Sequence, residues 1–379
     1  MGATLPALPM SWVAAARERW RSLRDRLLAD TRFQQRAARF PLTRPMARRE
    51  ANALFDLCAG FVYTQILTAC VELDLFETLA SGPHTIALLA DAHQLDQSAM
   101  LCLLRGADSL RLLQLEGETV RLGPLGAALR GNPGAVAMIR HHKILYRDLA
   151  DPLALLRREE PGDLAQFWPY DGADAQQART YSQLMADSQP MVTAEILASY
   201  PFRQHRLVLD IGGGDGSFLT ALAAHAPHLA LRLFDLPPVA ALAEQRFAAH
   251  GLAARAHVFG GDMHQGGFPM GADLITLVRV LHDHNDAEAQ TLLANARAAL
   301  APGGIILIAE PMAGAKGAAA MGDAYFGFYL RAMGRGRPRR AAEIAAMLRQ
   351  AGFAHPRSIE TSQPLLTSIM VATAADRQS

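Results

Sequence analysis

The chain has 379 residues, half of them hydrophobic, with 37 basic against 36 acidic side chains and a formal charge of +1. That length allows two domains with sizeable cores, and the near-neutral balance gives no global reason to expect a nucleic-acid partner. Three cysteines, Cys58, Cys70 and Cys102, are odd in number and lack metal-ligand spacing; in apolar, helix-like surroundings they read as buried thiols in a reducing cytoplasm. Neither a signal-peptide order nor an uninterrupted apolar span of membrane length is visible, so the expectation is a cytoplasmic protein, soluble or peripheral on a membrane.

Residues 1–50 read as a basic arm. Eleven arginines fall between Arg17 and Arg49, against Glu18, Asp25 and Asp30. Trp12, Ala16, Trp20, Leu23 and Leu27 recur at helical spacing, which predicts a helix with an apolar stripe and basic flanks. Such a helix suits an anionic membrane surface or a partner subunit, and the sequence weighs the two equally. Pro41 and Pro45 then interrupt the pattern. From Ala51 to Leu79 a helical stretch is apolar nearly all round, including Leu54, Phe55, Leu57 and Phe61. One small domain cannot bury every face of such a helix, and a homodimer core can.

Thr85–Ala92 and Asp96–Leu112 predict a helix-turn-helix, and Leu113–Leu122, turning at Glu116-Gly117-Glu118, predicts a hairpin wing. The recognition position offers Asp96, Gln97 and Asp108 against only Arg105 and Arg111, which is poor for phosphate binding. A structural winged helix over 51–135, without nucleic acid, is therefore favoured over a DNA-binding regulator. Residues 136–199 form a helical connector dense in aromatics and methionines. These usually mean core, but a soft apolar lining also suits a large apolar ligand; Tyr146, Trp168 and Met185 are its candidates for substrate contact.

The last segment, 200–379, alternates strand and helix, as in a mostly parallel sheet closed by an antiparallel hairpin. Its first strand runs into Asp210-Ile211-Gly212-Gly213-Gly214-Asp215-Gly216. The glycines allow a tight turn into a helix and close approach of a ligand, yet the spacing misses a dinucleotide fingerprint by one residue. The carboxylate of Asp210 would also repel a pyrophosphate. Both departures favour S-adenosylmethionine over NAD. Asp235, 21 residues beyond Gly214, sits where a doubly wound sheet sets a carboxylate on a ribose diol, with Leu236 beside it; Asp262 and Met263 end the next strand and would flank an adenine. Ala272–Val278 leads to Leu281-His282-Asp283, a helix follows from Asn285 or Asp286 to a stop at Ala301–Gly304, and Ile305–Ala309 ends at Glu310. A helix over Asp323–Met333 carries Tyr325, Tyr329 and Met333, further candidates for substrate contact. A lone histidine is more often a core residue than a base, but the position of His282 at a strand end beside Asp283 reverses those odds. A metal site at His282, His284 and Asp286 has no template in its spacing, and none is expected.

Leu209-Asp210-Ile211-Gly212-Gly213-Gly214-Asp215-Gly216, Phe234-Asp235-Leu236-Pro237, Gly260-Gly261-Asp262-Met263 and Val280-Leu281-His282-Asp283 together resemble the class I O-methyltransferases of the plant caffeate and acetylserotonin type. Phe40–Pro45, Phe55–Tyr63, Leu145–Pro152 and Phe167–Tyr170 resemble the carotenoid hydroxyl O-methyltransferases of phototrophic bacteria. The resemblance implies a Rossmann-like α/β catalytic domain behind an N-terminal winged-helix dimerisation domain, a homodimer, and an apolar carotenoid substrate. It implies cofactor contacts at Gly212, Gly214, Asp235, Asp262 and Met263, a catalytic base at His282 followed by Asp283, and a steadying carboxylate at Glu310. Two positions depart from the family pattern: His284 stands where a tryptophan is usual, and Pro338 where a second glutamate is.

Overall fold

A computed structural model describes residues 12–157, 162–167 and 188–375. The chain divides into two units, one of residues 1–73 and 82–123, the other of 74–81 and 124–379. The arm thus clusters with the winged helix, whereas the connector is continuous with the catalytic segment.

In the first unit, α1 (Trp12–Ala29) is followed at once by α2 (Thr31–Arg39). Asp30 separates them because its carboxylate accepts the backbone N–H groups of Arg32 and Phe33 as an N-cap. Pro45 does not interrupt α3 (Arg44–Glu72): it occupies the first turn, where its missing N–H costs nothing. The helix expected over 51–79 therefore starts earlier, and it breaks at Asp74, which takes φ 50° before a short turn over Leu75–Thr78. Only Thr68, Cys70 and Val71 of α3 are buried within the chain, and Leu57 is 83% exposed. Cys70 is a buried thiol as expected, but Cys58 and Cys102 are exposed, because both lie on faces that their own chain leaves open.

The helix-turn-helix forms as Ile86–Ala92 and Gln97–Ser109, capped by the side chains of Thr85 and Asp96. β1 (His84–Thr85), β2 (Leu113–Glu116) and β3 (Thr119–Leu122) make an antiparallel wing in the order β1-β3-β2.

The second unit is built on a seven-stranded sheet: β4 (Leu207–Ile211), β5 (Ala230–Asp235), β6 (Ala256–Gly260), β7 (Ala272–Val278), β8 (Leu300–Glu310), β9 (Phe353–Ile359) and β10 (Ser368–Ala374). Their order is β6-β5-β4-β7-β8-β10-β9, with β4 to β8 parallel and β10 antiparallel to both neighbours. Alternate residues bury on opposite faces. Leu209, Ile275 and Ile306 pack with the helices Asp286–Ala299 and Ala341–Gln350, while Val208, Leu231 and Leu307 pack with the helices Ser217–His225 and Pro237–Ala249 and with Ile196. The helix Asp286–Ala299 ends at Ala299, and Ala301–Gly304, expected to stop it, already belongs to β8, whose pairing with β7 shifts register between Ala272 and Leu274. The helix expected over 323–333 is π-helical over Ala320–Phe326 before becoming α-helical at Gly327–Met333.

Candidate active site

Since β4 to β8 are parallel, their carboxyl ends share one edge of the sheet, and the strand order reverses between β5 and β7 around β4. Ligands of open α/β sheets bind at such a switch point. The turn after β4, Asp235, Asp262-Met263, His282 and Glu310 all follow carboxyl ends of these strands.

The turn after β4 needs glycine for two separate reasons. Gly212 takes φ 70°, and a Cβ there would sit 2.7 Å from Val280 and 3.5 Å from the Met263 methyl group; Gly214 takes φ 61° with open space where a Cβ would be. Both values lie in the left-handed region that L side chains avoid. The loop is pinned from β5: Gly214 donates its N–H to Asp235 Oδ2 at 2.8 Å, and Leu236 donates to Oδ1 at 2.7 Å. Burial holds the Asp235 carboxyl up at about 6 despite those two donors. Leu236 itself is 39% exposed at the mouth of the strand. Asp262, partly exposed, accepts the His264 N–H at 2.8 Å, which shapes the turn carrying Met263.

Asp210 is placed differently from expectation. It is almost fully buried, paired in register with Thr276 of β7, whose hydroxyl donates to its Oδ1 at 2.6 Å. Its other oxygen lies beneath Gly213. Strand alternation puts this side chain on the same face of the sheet as Val208, where it lies against Thr276 and the glycine turn, and burial raises its carboxyl to about 7.

His282 sits in a single 3-10 turn, Leu281–Asp283, that follows β7. Its imidazole is 4% exposed; Nε2 lies 3.3 Å from Asp283 Oδ1, and the ring packs on Phe326 with centroids 5.6 Å apart. Glu310, at the end of β8, reaches the histidine through the backbone: Oε2 accepts the His282 N–H at 3.0 Å. That differs from the expected contact with the ring, because the carboxylate enters beneath the turn rather than beside the imidazole. Burial drives all three groups toward their neutral forms: His282 falls to about 3, helped by Arg279, while Asp283 rises to about 7 and Glu310 to about 8. His282 Nδ1 and Glu310 Oε1 are buried with no hydrogen-bond partner among the described residues, a cost usually tolerated where function needs the group.

Three residues that sequence reasoning missed complete the surroundings. Arg279 adopts φ 58°, a strained conformation for a long side chain, with its N–H on Ala309 O and its guanidinium on Ser188. A cation inside the apolar run Val278–Leu281 was the signal. Arg339 is fully buried and donates to Leu281 O and His284 O, each at 2.7 Å, and to Asp286, tying down both ends of the histidine turn. Gly336, at φ 73°, lies so close that a Cβ would run into His282 O, and Arg337 donates its N–H to that oxygen. The loop that carries Pro338, where the resemblance leads one to expect a second glutamate, thus seals the histidine turn. His284 is also buried, edge-on to His264 with centroids 4.7 Å apart.

Tyr325 and Tyr329 stack at 5.9 Å and are each held by a histidine of the helix Pro133–Leu149: His142 Nε2 to Tyr325 at 2.8 Å and His141 Nε2 to Tyr329 at 2.9 Å. Phe326 meets Tyr325 edge-on. Tyr329 and Met333 pack with Leu145, Leu164 and Leu330, so their large surfaces serve a core. Tyr146 is half-buried on the same helix, one turn beyond His142. Trp168 and Met185 lie outside the described residues. No group of three or more His, Cys, Asp or Glu able to hold a metal occurs among the described residues.

The donor set fits S-adenosylmethionine: a positive-φ glycine turn open to a ligand, an acceptor carboxylate at the end of β5, and Met263 against the turn. Asp235, Asp262, Leu236 and Met263 would hold it.

Comparison with known proteins agrees with this geometry. Residues 146–354 match the model of an O-methyltransferase domain and residues 55–129 that of an O-methyltransferase dimerisation domain. The chain is 42% identical over 354 residues to a demethylspheroidene O-methyltransferase of Cereibacter sphaeroides, covering 92% of this chain and 93% of that one. It is 40% identical over 352 residues to the enzyme of the same name from Rhodobacter capsulatus, covering 92% and 88%. Among solved structures, CalO1, a methyltransferase of calicheamicin biosynthesis in its SAH-bound form, superposes with a TM-score of 0.74 at 27% identity, over 86% of this chain and 98% of that one.

Proposed function

The chain belongs to the O-methyltransferases that join a dimerisation domain to a catalytic domain, and from that premise we propose that it methylates a tertiary hydroxyl on an acyclic carotenoid, with His282 as general base. The protein is an S-adenosylmethionine-dependent O-methyltransferase and a homodimer. The observation that carries the carotenoid reading is the 42% identity, over nearly the full length of both chains, to a demethylspheroidene O-methyltransferase.

When bound, S-adenosylmethionine supplies an electrophilic methyl group on a sulfonium. The protein must do the rest. A tertiary alcohol is a weak nucleophile and a very weak acid, so its proton has to leave as the C–O bond forms. A buried, neutral His282 can accept it, and a base placed in this way contributes about 10²–10⁴-fold. Asp283, 3.3 Å from Nε2 and raised to about 7 by burial, would stabilise the resulting imidazolium in its ionised form. Glu310 and Arg339 fix the turn so that the ring stays in place. Holding both reactants in near-attack geometry is worth more, roughly 7–11 kcal/mol.

A polyene dissolves in lipid rather than water, which supports a cytoplasmic enzyme in peripheral contact with a membrane through its N-terminal arm. The substrate reading is tested by incubating the protein with methyl-labelled cofactor and, separately, a tertiary-hydroxy acyclic carotenoid, a phenol and a chlorophyll precursor. Label is expected in the carotenoid. Transfer to the phenol or the tetrapyrrole alone would reassign the substrate, and salt-sensitive DNA binding without any transfer would point to a cofactor-sensing regulator.

A further inference from the structure

We infer that α1 is an interfacial helix that seats the enzyme on an anionic lipid surface, with Trp12 and Trp20 entering the headgroup region. This deepens the membrane contact proposed above by naming its chemistry, and it stands whether or not the substrate is a carotenoid. No residue of α1 is buried: Trp12 is 83% and Trp20 69% exposed. At about 100° of rotation per residue, Trp12, Leu23, Ala16, Leu27, Trp20 and Val13 fall, in that order, within an arc of about 100°. Arg24 and Arg17 follow on one border of that arc, with Leu28 and then Arg21 beyond them, and Arg19 and Arg26 lie on the other. The two acidic residues, Glu18 and Asp25, face the opposite way and pair with Arg21 and Arg24, which lie between them and the stripe.

That arrangement is an apolar stripe with guanidinium groups along both borders and carboxylates behind. Arginine can lay its aliphatic stem on the hydrocarbon boundary while its head stays with the phosphates, and tryptophan favours the same depth. Residues 12–49 carry eleven arginines and three acidic residues, a net +8 in a chain of net +1, so all other residues together carry −7. The positive charge that could attract an anionic bilayer is therefore concentrated in this arm. The matched dimerisation model begins only at residue 55 and so does not include this helix.

The test is co-sedimentation of the full-length protein with vesicles of phosphatidylglycerol and phosphatidylcholine, or of phosphatidylcholine alone, at low and high salt. Binding is expected to the anionic vesicles, to fall with salt, and to weaken about fivefold for each arginine lost from the stripe borders. Arg17→Glu with Arg24→Glu should then abolish most binding, and Trp12→Ser with Trp20→Ser should weaken it without changing the charge. Trp12, Trp20 and Trp168 are the chain's three tryptophans, so emission should shift to the blue on anionic vesicles and lose that shift in the double Trp→Ser variant. Equal partition into neutral and anionic vesicles would overturn the inference. So would Trp12 and Trp20 already shielded from iodide in the vesicle-free dimer, because a partner subunit would then cover the stripe.

Discussion

Glu310 holds His282 by its backbone, with Oε2 3.0 Å from the histidine's amide nitrogen, and leaves the imidazole to Asp283. Glu310 is fully buried, and burial raises its carboxyl from 4.5 to about 8. A group whose pKa is raised by folding adds stability below its unfolded value and loses that contribution as pH climbs through the folded value. Wild type should therefore lose stability relative to Glu310→Gln between about pH 5 and 8, at no more than about 1.4 kcal/mol per pH unit. Denaturant midpoints for both proteins at pH 5.5, 7 and 8.5 check this, and parallel profiles would contradict it.

Gly212→Ala meets two penalties, a left-handed φ of 70° and a methyl group 2.7 Å from Val280. Destabilisation of about 1–3 kcal/mol is expected, together with weaker S-adenosylmethionine binding because the turn must move. Calorimetric titration measures the second effect and thermal unfolding the first.

The pair His142–Tyr325 joins the helix Pro133–Leu149 to the π-helical turn that places Phe326 on the imidazole. His142→Ala leaves the half-buried Tyr325 hydroxyl without its imidazole partner, at a cost of about 1–3 kcal/mol. Adding Tyr325→Phe should restore part of that loss, and a double-mutant cycle should return a coupling of about 0.5–3 kcal/mol. Additive effects would mean that the contact is incidental.

Leu57 and Phe61 of α3 are 83% and 70% exposed on the isolated chain. In the homodimer such side chains belong at the interface, so Leu57→Asp with Phe61→Asp should shift sedimentation from dimer to monomer or to aggregate. An unaltered dimer would place the interface elsewhere.

Much of this was legible in the sequence. The winged helix followed from the two helical segments Thr85–Ala92 and Asp96–Leu112 and from the alternation of Leu113–Leu122 about Gly117; the strand ends carrying Asp235, Asp262 and His282 followed from short apolar runs that stop at a polar residue. What could not be read was orientation. Asp210 looked like a ligand contact, yet strand alternation pairs it with Thr276 inside the sheet. Glu310 was assigned to the imidazole ring but reaches the backbone, since periodicity says nothing about the side from which a carboxylate enters a turn. Arg339 could not be singled out at all, because its partners, Leu281 O and His284 O, lie more than fifty positions away.

The most direct test is the single-turnover rate of methyl transfer from bound S-adenosylmethionine to a tertiary-hydroxy acyclic carotenoid, compared between wild type and His282→Ala, with cofactor affinity measured on the same preparations. The rate is expected to fall about 10²–10⁴-fold while cofactor affinity stays within about twofold, since Asp235 and the glycine turn, not His282, would hold that ligand. An undiminished rate in His282→Ala would remove the histidine from the chemistry and contradict the account.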